Sequence, residues 1–282
     1  MLRELAPRLD NSDISDSGDS GMSLSDASSY LYDALISPFE SELEKETYLS
    51  ITCHDFRLLS IPWASLSPSP ETPPLFKKFC LSLIPPTQSN VLEPSQPICD
   101  PKIFRIKALE ASEETDQSES SEVQRHKRTT QSAVVSSLEE LKSSLADKKC
   151  IQLSIDLQCS SEIILSDEKH LISQIFLNFD LSHVDLVILD RPNSTELAQA
   201  FLESGAKSVI FPLWKVPKTA TKDLKNSIIT ALESMDPISA LQDAQLKQLK
   251  GKQFKDPSFW SAWLAMVSKI VRNSDLIYLS FI

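Results

Sequence analysis

Glycine is scarce in this chain of 282 residues, and its scarcity excludes several classes of enzyme. The four glycines are Gly18, Gly21, Gly205 and Gly251, and the first two lie in a polar N-terminal segment. Phosphate-cradling loops need glycine where the backbone approaches the ligand, so neither GxGxxG nor GxxxxGK[ST] can occur here. The sequence therefore predicts no nucleotide cofactor and no cofactor-binding residues.

Cysteine is too scattered for a disulfide framework or a zinc site. The five cysteines, which form no CxxC pair, are Cys53, Cys80, Cys99, Cys150 and Cys159. An odd number of dispersed thiols argues against both kinds of site, so no metal ligand is predicted. Cys53, Cys80 and Cys150 lie in apolar runs, which indicates buried, reduced thiols. Such thiols are typical of a cytosolic or nuclear protein, and we expect a cytoplasmic one.

Positive charge and long apolar runs are also lacking. The net charge is −11, which argues against a nucleic-acid partner because such proteins concentrate Lys and Arg on one surface. The first 25 residues contain no apolar stretch that a signal peptide would need. Apolar runs such as 184–189 and 276–282 are too short to cross a bilayer, so no membrane partner is expected.

Composition divides the chain into a tail, a folded part and an extension. Residues 1–27 are acidic and rich in Ser and Asp, which predicts a disordered tail. Residues 28–268 read as one folded domain, within which 110–129 form a polar internal loop. The limit at residue 268, which leaves 269–282 as a C-terminal extension, is implied by the family resemblance given below.

Hydrophobic periodicity predicts an α/β fold with a mostly parallel sheet. Apolar runs predict strands at 48–53, 79–85, 150–155, 184–189 and 208–211, and a further extended run within 54–66. Helical spacing predicts helices at 131–145, 167–176, 194–204, 219–233 and 237–249. The run 184–189 is almost entirely apolar, as a central strand covered on both faces should be. Gly205 follows one predicted helix at a position typical of a C-cap.

Several segments, in order, resemble the CHAT domain, a caspase-like peptidase family often attached to tetratricopeptide repeats. The segment ELAQAFLESGAKSVIFPLWKVPKTAT, residues 196–221, is the most specific match. LSHVDLVIL resembles the strand that leads to the family's catalytic Cys, and DPSFWSAWLAMV resembles an element that closes the domain. The similarity is closest to the CHAT domain of animal tetratricopeptide-repeat proteins. It implies a caspase-like three-layer sandwich with a mostly parallel central sheet and helices on both faces.

The resemblance also implies that the catalytic dyad has been lost. Asp156 stands where the family has its catalytic His, at the end of the strand that begins at Cys150. Pro192 stands where the family has its Cys, and the loop that follows is shortened. A carboxylate cannot act as an imidazole base, and proline supplies neither a nucleophile nor a backbone N–H for an oxyanion hole. Asp156, Asp190 and Arg191 are predicted to meet at the strand ends, as a structural salt bridge or as a vestigial peptide groove.

Three functional interpretations follow. The leading one is an inactive, pseudoenzyme form of the domain that serves as a protein-interaction or scaffolding module, with protein partners that include tetratricopeptide-repeat assemblies. The second is a cysteine-type peptidase with a rearranged catalytic site, which requires a Cys or Ser beside an imidazole at the strand ends. His183 is a poor candidate for that imidazole, because it precedes the central strand and so lies at its opposite end. The third is a decayed gene product without a selected function.

Overall fold

The structure is a computed structural model that describes sixteen ranges of the chain. These are residues 24–43, 47–53, 56–85, 91–92, 103–108, 131–135, 137–146, 150–154, 162–165, 168–171, 179–190, 192, 194–251, 253–268, 270–271 and 276–281.

Helices of four to fourteen residues surround the sheet. They are α1 (Leu24–Leu35), α2 (Glu40–Leu43), α3 (Phe56–Leu59), α4 (Leu75–Lys78), α5 (Leu138–Leu145), α6 (Thr195–Glu203), α7 (Lys218–Ala231), α8 (Pro237–Lys250) and α9 (Pro257–Trp260), with 3₁₀ turns at Ser37–Phe39 and Trp63–Ser65. Asp236 caps α8, because its carboxylate accepts hydrogen bonds from the backbone N–H groups of Ile238 and Ser239.

The described residues form one large sheet and two small ones. The strands are β1 (Tyr48–Cys53), β2 (Cys80–Ile84), β3 (Val91–Leu92), β4 (Ile103–Ala108), β5 (Gln131–Val135), β6 (Cys150–Ser154), β7 (Glu162–Leu165), β8 (Glu168–Leu171), β9 (Leu186–Leu189), β10 (Ser208–Pro212), β11 (Trp263–Val267), β12 (Ile270–Val271) and β13 (Leu276–Phe281). The large sheet has nine strands in the order β13-β1-β2-β11-β10-β9-β6-β4-β5. β3 pairs with β12, and β7 pairs with β8.

The large sheet consists of two parallel halves that meet at one antiparallel pair. β13, β1, β2 and β11 are mutually parallel, and so are β10, β9, β6, β4 and β5. The antiparallel pair is β10 with β11, in which Phe211 lies opposite Leu264. The carboxyl ends of β6, β9 and β10 therefore share one edge of the sheet with the amino ends of β1, β2 and β11.

Apolar side chains of the central strands alternate between two cores, one on each face of the sheet. On β9, Val187 and Leu189 join the core that includes α6, whereas Leu186 and Ile188 join the core that includes α7 and α8. All four side chains are almost fully buried. This alternation follows from the two-residue period of a strand, and it produces the near-continuous apolar run seen in the sequence. The three-layer α/β architecture predicted from the sequence is confirmed.

The connection from α6 to β10 depends on Gly205. Its φ of 108° is the positive value that side-chain-bearing residues rarely adopt. The turn also anchors the segment before β9, because the backbone N–H of Leu181 donates to Ser204 O at 2.7 Å and that of Lys207 donates to Val184 O at 3.0 Å. The predicted C-cap role of Gly205 is confirmed.

Two predicted helices are wrong in part. Residues 131–145 were expected to form one helix, but Gln131–Val135 is strand β5 and the helix begins after Ser137, whose hydroxyl caps it. Residues 167–176 were also expected to be helical, whereas Glu168–Leu171 is strand β8, paired with β7. In both cases pairing with another strand outweighs a helical spacing of apolar residues.

The two predicted ends of the folded part also differ from those in the structure. Helix α1 begins at Leu24, so the last four residues of the expected tail are helical, and Ala27 is buried. At the other end, β13 pairs with β1 along its whole length, so the expected extension after residue 268 contributes a strand to the sheet. The extended run expected within 54–66 is instead helix α3 and a 3₁₀ turn. The polar loop predicted at 110–129 lies outside the described residues.

Candidate functional site

The edge that carries the carboxyl ends of β6, β9 and β10 is the place where the sequence predicts a site. Ile188 on β9 pairs with Ile210 on β10, so Asp190 lies level with Pro212 at this edge. Side chains that follow neighbouring parallel strands converge at such an edge, which is why ligands bind there in open α/β sheets.

Asp190 forms an ion pair with a lysine from the covering helix. Its Oδ2 accepts a hydrogen bond of 2.6 Å from Nζ of Lys225 on α7. The side chains of Asp190 and Lys225 are 23% and 12% exposed, so the pair is largely shielded from water. The predicted meeting of Asp190 with Asp156 and Arg191 stays a prediction, because Asp156 and Arg191 lie outside the described residues; the described residues show Lys225 beside Asp190.

The segment after β9 is short. Residues 190–194 alone separate Leu189 from the first residue of α6, and they include neither Cys nor His. Pro192 is half-buried in a turn within this segment. Ser194 carries the one side-chain hydroxyl in the sequence of this segment, and the residue is 3% exposed. Its backbone carbonyl accepts a hydrogen bond from the N–H of Ala198 in the first turn of α6.

A polar cluster occupies the same edge at the amino ends of β1 and β2. This amino-end cluster consists of Tyr48, Cys80, Asp236, Ser239 and Gln242. Tyr48 Oη donates to Asp236 Oδ2 at 3.0 Å, and Ser239 Oγ donates to the same oxygen at 2.5 Å. The Cys80 thiol donates to Gln242 Oε1 at 2.9 Å. The cluster lines an open cleft of about 560 Å³.

Burial holds the Cys80 thiol and the Tyr48 hydroxyl in their neutral forms. Desolvation raises the pKa of the Cys80 thiol to about 11 and that of the Tyr48 hydroxyl to about 12. The Asp236 carboxylate acts in the same direction on both groups, because a negative charge nearby disfavours a second one. A thiolate, which is the nucleophilic form of cysteine, is therefore disfavoured at Cys80.

His183 does not lie at this edge of the sheet. Nε2 of His183 lies 3.1 Å from the carbonyl oxygen of Leu145, at the end of α5. His183 precedes β9, so it lies at the opposite edge from Asp190 and Cys80, as the sequence predicted. Within the described ranges, no three His, Cys, Asp or Glu residues form a group that could hold a metal ion. No helix in the same ranges has the length and apolar character that crossing a membrane requires.

Part of the chain is similar to a known protein family. Residues 159–268 match the family model of the CHAT domain. The matched CHAT region runs from the residues before β7 to the end of β11, and it contains the segment 196–221 that carried the resemblance. The α/β sheet with helices on both faces is consistent with a caspase-like domain of this kind. No curated protein matches the chain.

The sequence predicted that Asp190 follows a central strand, which the structure shows, and it did not predict the amino-end cluster. Cys53 and Cys80 are buried and lie outside any disulfide, as predicted. The position of Cys80 beside α8 was missed because it depends on the antiparallel join of β10 and β11. The sequence does contain the pair Asp236-Pro237, an N-cap residue followed by proline, which predicts where α8 begins. It does not predict which strands α8 packs against.

Proposed function

We propose that this chain carries a catalytically inactive CHAT domain that acts as a protein-interaction or scaffolding module. The observation that carries the proposal is the segment after β9. It supplies Asp190 and Pro192 where the family resemblance leads one to expect a cysteine nucleophile, and Asp190 is held by Lys225. An ion pair at this position gives the carboxylate a structural partner and offers a substrate carbonyl no nucleophile.

The thiol and imidazole chemistry of the described residues supports the same proposal. Cysteine catalysis needs a thiolate within hydrogen-bond reach of a histidine. Cys80 donates its proton to an amide oxygen, its pKa is raised to about 11, and His183 lies at the opposite edge of the sheet. No feature of the described ranges favours the rearranged cysteine peptidase over the inactive module.

A cleavage assay tests the inactive half of the proposal. The full chain is incubated with denatured casein and with a mixture of quenched fluorescent peptides, under reducing conditions and over neutral and mildly acidic pH. We expect no cleavage above that of buffer. Cleavage that is lost in Cys80→Ser or in Cys159→Ser would overturn the proposal and establish the rearranged peptidase.

Reconstituted binding tests the interaction half. Proteins retained by the wild-type chain are compared with those retained by Asp156→Ala/Arg191→Ala, and each shared partner is then purified and mixed with the chain alone. We expect at least one purified partner, a tetratricopeptide-repeat protein among the candidates, to bind both forms equally. The absence of any partner that binds the purified chain would refute the scaffolding role.

A further inference from the structure

Helices α7 and α8 form an antiparallel hairpin with two ends of different charge. The segment 232–236 joins the helices, and the Gln248 amide donates to the carbonyl oxygen of Ala220 at 2.9 Å. The first turn of α7 therefore lies beside the last turn of α8. This end of the hairpin is also adjacent to α9, because the Gln245 amide donates to the carbonyl oxygens of Trp260 and Trp263 at 2.9 and 3.0 Å.

Exposed lysines collect around this end of the hairpin. We call this surface the lysine face, and its members are Lys215, Lys218, Lys222, Lys247, Lys250 and Lys255. Within the described residues, Lys247 is the member that forms an ion pair, with Asp243 at 2.6 Å. Two half-buried aromatic residues adjoin the lysines: Trp214, whose indole N–H donates to Ser258 O at 2.8 Å, and Phe254, whose ring packs edge-on against Phe259.

Helix stability explains only some of these lysines. Lys247 and Lys250 lie in the last turn of α8, where the helix dipole favours a cation, whereas Lys218 stands at the start of α7. A helix N-terminus carries partial positive charge, so it favours Asp or Glu in its first turn and disfavours Lys. The first turn of α7 has no acidic residue and begins with Lys218. Glu233 and Asp236 lie at the other end of the hairpin, whereas Asp243 pairs with Lys247 midway along α8 and Asp223 follows Lys222. Lys218 thus stands at the start of α7 at some cost to that helix.

We propose that the lysine face binds a short acidic segment, rich in Asp and Glu, of a partner protein. The inference rests on the proposed role as an interaction module and names the surface and chemistry of that role. Opposite charges across an interface raise the association rate and select the partner. The lysine stems and the faces of Trp214 and Phe254 supply the apolar contact that a peptide backbone needs beside its charged side chains.

A short peptide fits this surface better than a nucleic acid does. The face consists of lysines, which are point charges, and lacks the planar guanidinium fork that suits phosphate. A nucleic acid longer than the face would extend towards Glu233 and Asp236, and its phosphates would be repelled there. The net charge of −11 opposes a long polyanion for the same reason.

Fluorescence anisotropy with the full chain tests the proposal. The probe is a labelled peptide of alternating Glu and Ser, and the matched peptide of alternating Gln and Ser is the neutral control. The test variant is Lys218→Glu/Lys222→Glu, and the charge-matched control variant is Lys77→Glu/Lys142→Glu, whose lysines are exposed on α4 and α5. Glutamates in the first turns of α7 complement the helix dipole, so the test variant should fold at least as stably as the wild type.

We expect the acidic peptide to bind the wild type and the control variant with similar affinity. The test variant should bind about tenfold more weakly, because each substitution replaces an attraction by a repulsion. Wild-type binding should also weaken as salt is added. Absence of wild-type binding, equal losses in both variants, or tighter lysine-dependent binding of a single-stranded RNA would each overturn the proposal. None of these results bears on the cleavage assay or on the purified-partner test, so the two proposals fail separately.

Discussion

Gly205→Ala is the substitution whose cost the structure defines best. Gly205 has a φ of 108°, where an alanine is strained, and a Cβ placed there would lie 2.8 Å from the backbone nitrogen of Ser182. The same Cβ would lie 3.1 Å from Cα of Ser182. These atoms belong to the backbone of the segment before β9, so no side chain can turn aside to relieve the contact.

The expected loss of stability combines three contributions. Positive φ costs an alanine about 1–2 kcal/mol, and the steric overlap costs about 1–3 kcal/mol. The lower entropy of the unfolded alanine chain offsets about 0.4–1 kcal/mol of this. The net loss is about 1–5 kcal/mol, centred on about 3 kcal/mol, which is a substantial part of the roughly 5–15 kcal/mol that stabilises a typical domain.

Gly251→Ala is the matched control. Gly251 follows α8 with a φ of −66°, which any residue adopts, and its added Cβ would lie 3.2 Å from the carbonyl oxygen of Gln248. In thermal unfolding followed by tryptophan fluorescence, the midpoint temperature of Gly205→Ala should be about 5–15 °C below that of the wild type. The midpoint of Gly251→Ala should be lower by a few degrees at most. Equal midpoints for the two variants would refute the reasoning, because both remove the same flexibility and only one introduces strain.

Two further predictions concern the sheet edge. Lys225→Met should lower the free energy of unfolding in urea by about 1–3 kcal/mol, because it leaves the shielded Asp190 carboxylate without this cation. Lys207→Met removes the more exposed 2.5 Å pair with Asp185 and should lower it by less than about 1 kcal/mol. Equal losses would contradict the shielding of Asp190. The folded-state pKa of Cys80 is raised to about 11, so its contribution to stability is present below about pH 9 and is lost as pH rises through 11. Over this interval wild-type stability should fall by up to about 2–3 kcal/mol more than that of Cys80→Ala, and parallel pH profiles would show that Cys80 does not titrate as described.

The segments predicted best from the sequence are those whose signals are local. Helix α6 and strand β10 were placed to within a residue, because an apolar helix face ends at Gly205 and a short apolar run follows. Strand β5 was missed because its partner β4 lies more than twenty residues away, and no local pattern shows that pairing. Strand β8 was missed because its alternation is brief and its four residues, EKHL, have weak strand propensity.

The candidate site shows the same limit. The position of Asp190 at the end of a central strand follows from the apolar run before it. Its partner could not be predicted, because Lys225 follows 35 residues later and reaches Asp190 only when α7 packs across the sheet. The lysine face could not be predicted from the net charge of −11 either, because that value is a sum over the whole chain and does not show where lysines lie together on the surface.

The antiparallel join of β10 and β11 explains which polar groups meet at this edge of the sheet. It brings the amino ends of β1 and β2 beside the carboxyl end of β9, so a thiol, a hydroxyl and carboxylates gather there. The thiol and the hydroxyl both donate hydrogen bonds within the protein: Cys80 donates to Gln242, and Tyr48 donates to Asp236. Polar groups satisfied within the protein stabilise one arrangement and leave little to react. The exposed lysines at the end of the α7–α8 hairpin, away from Asp236, are the groups through which we propose that the chain binds a partner.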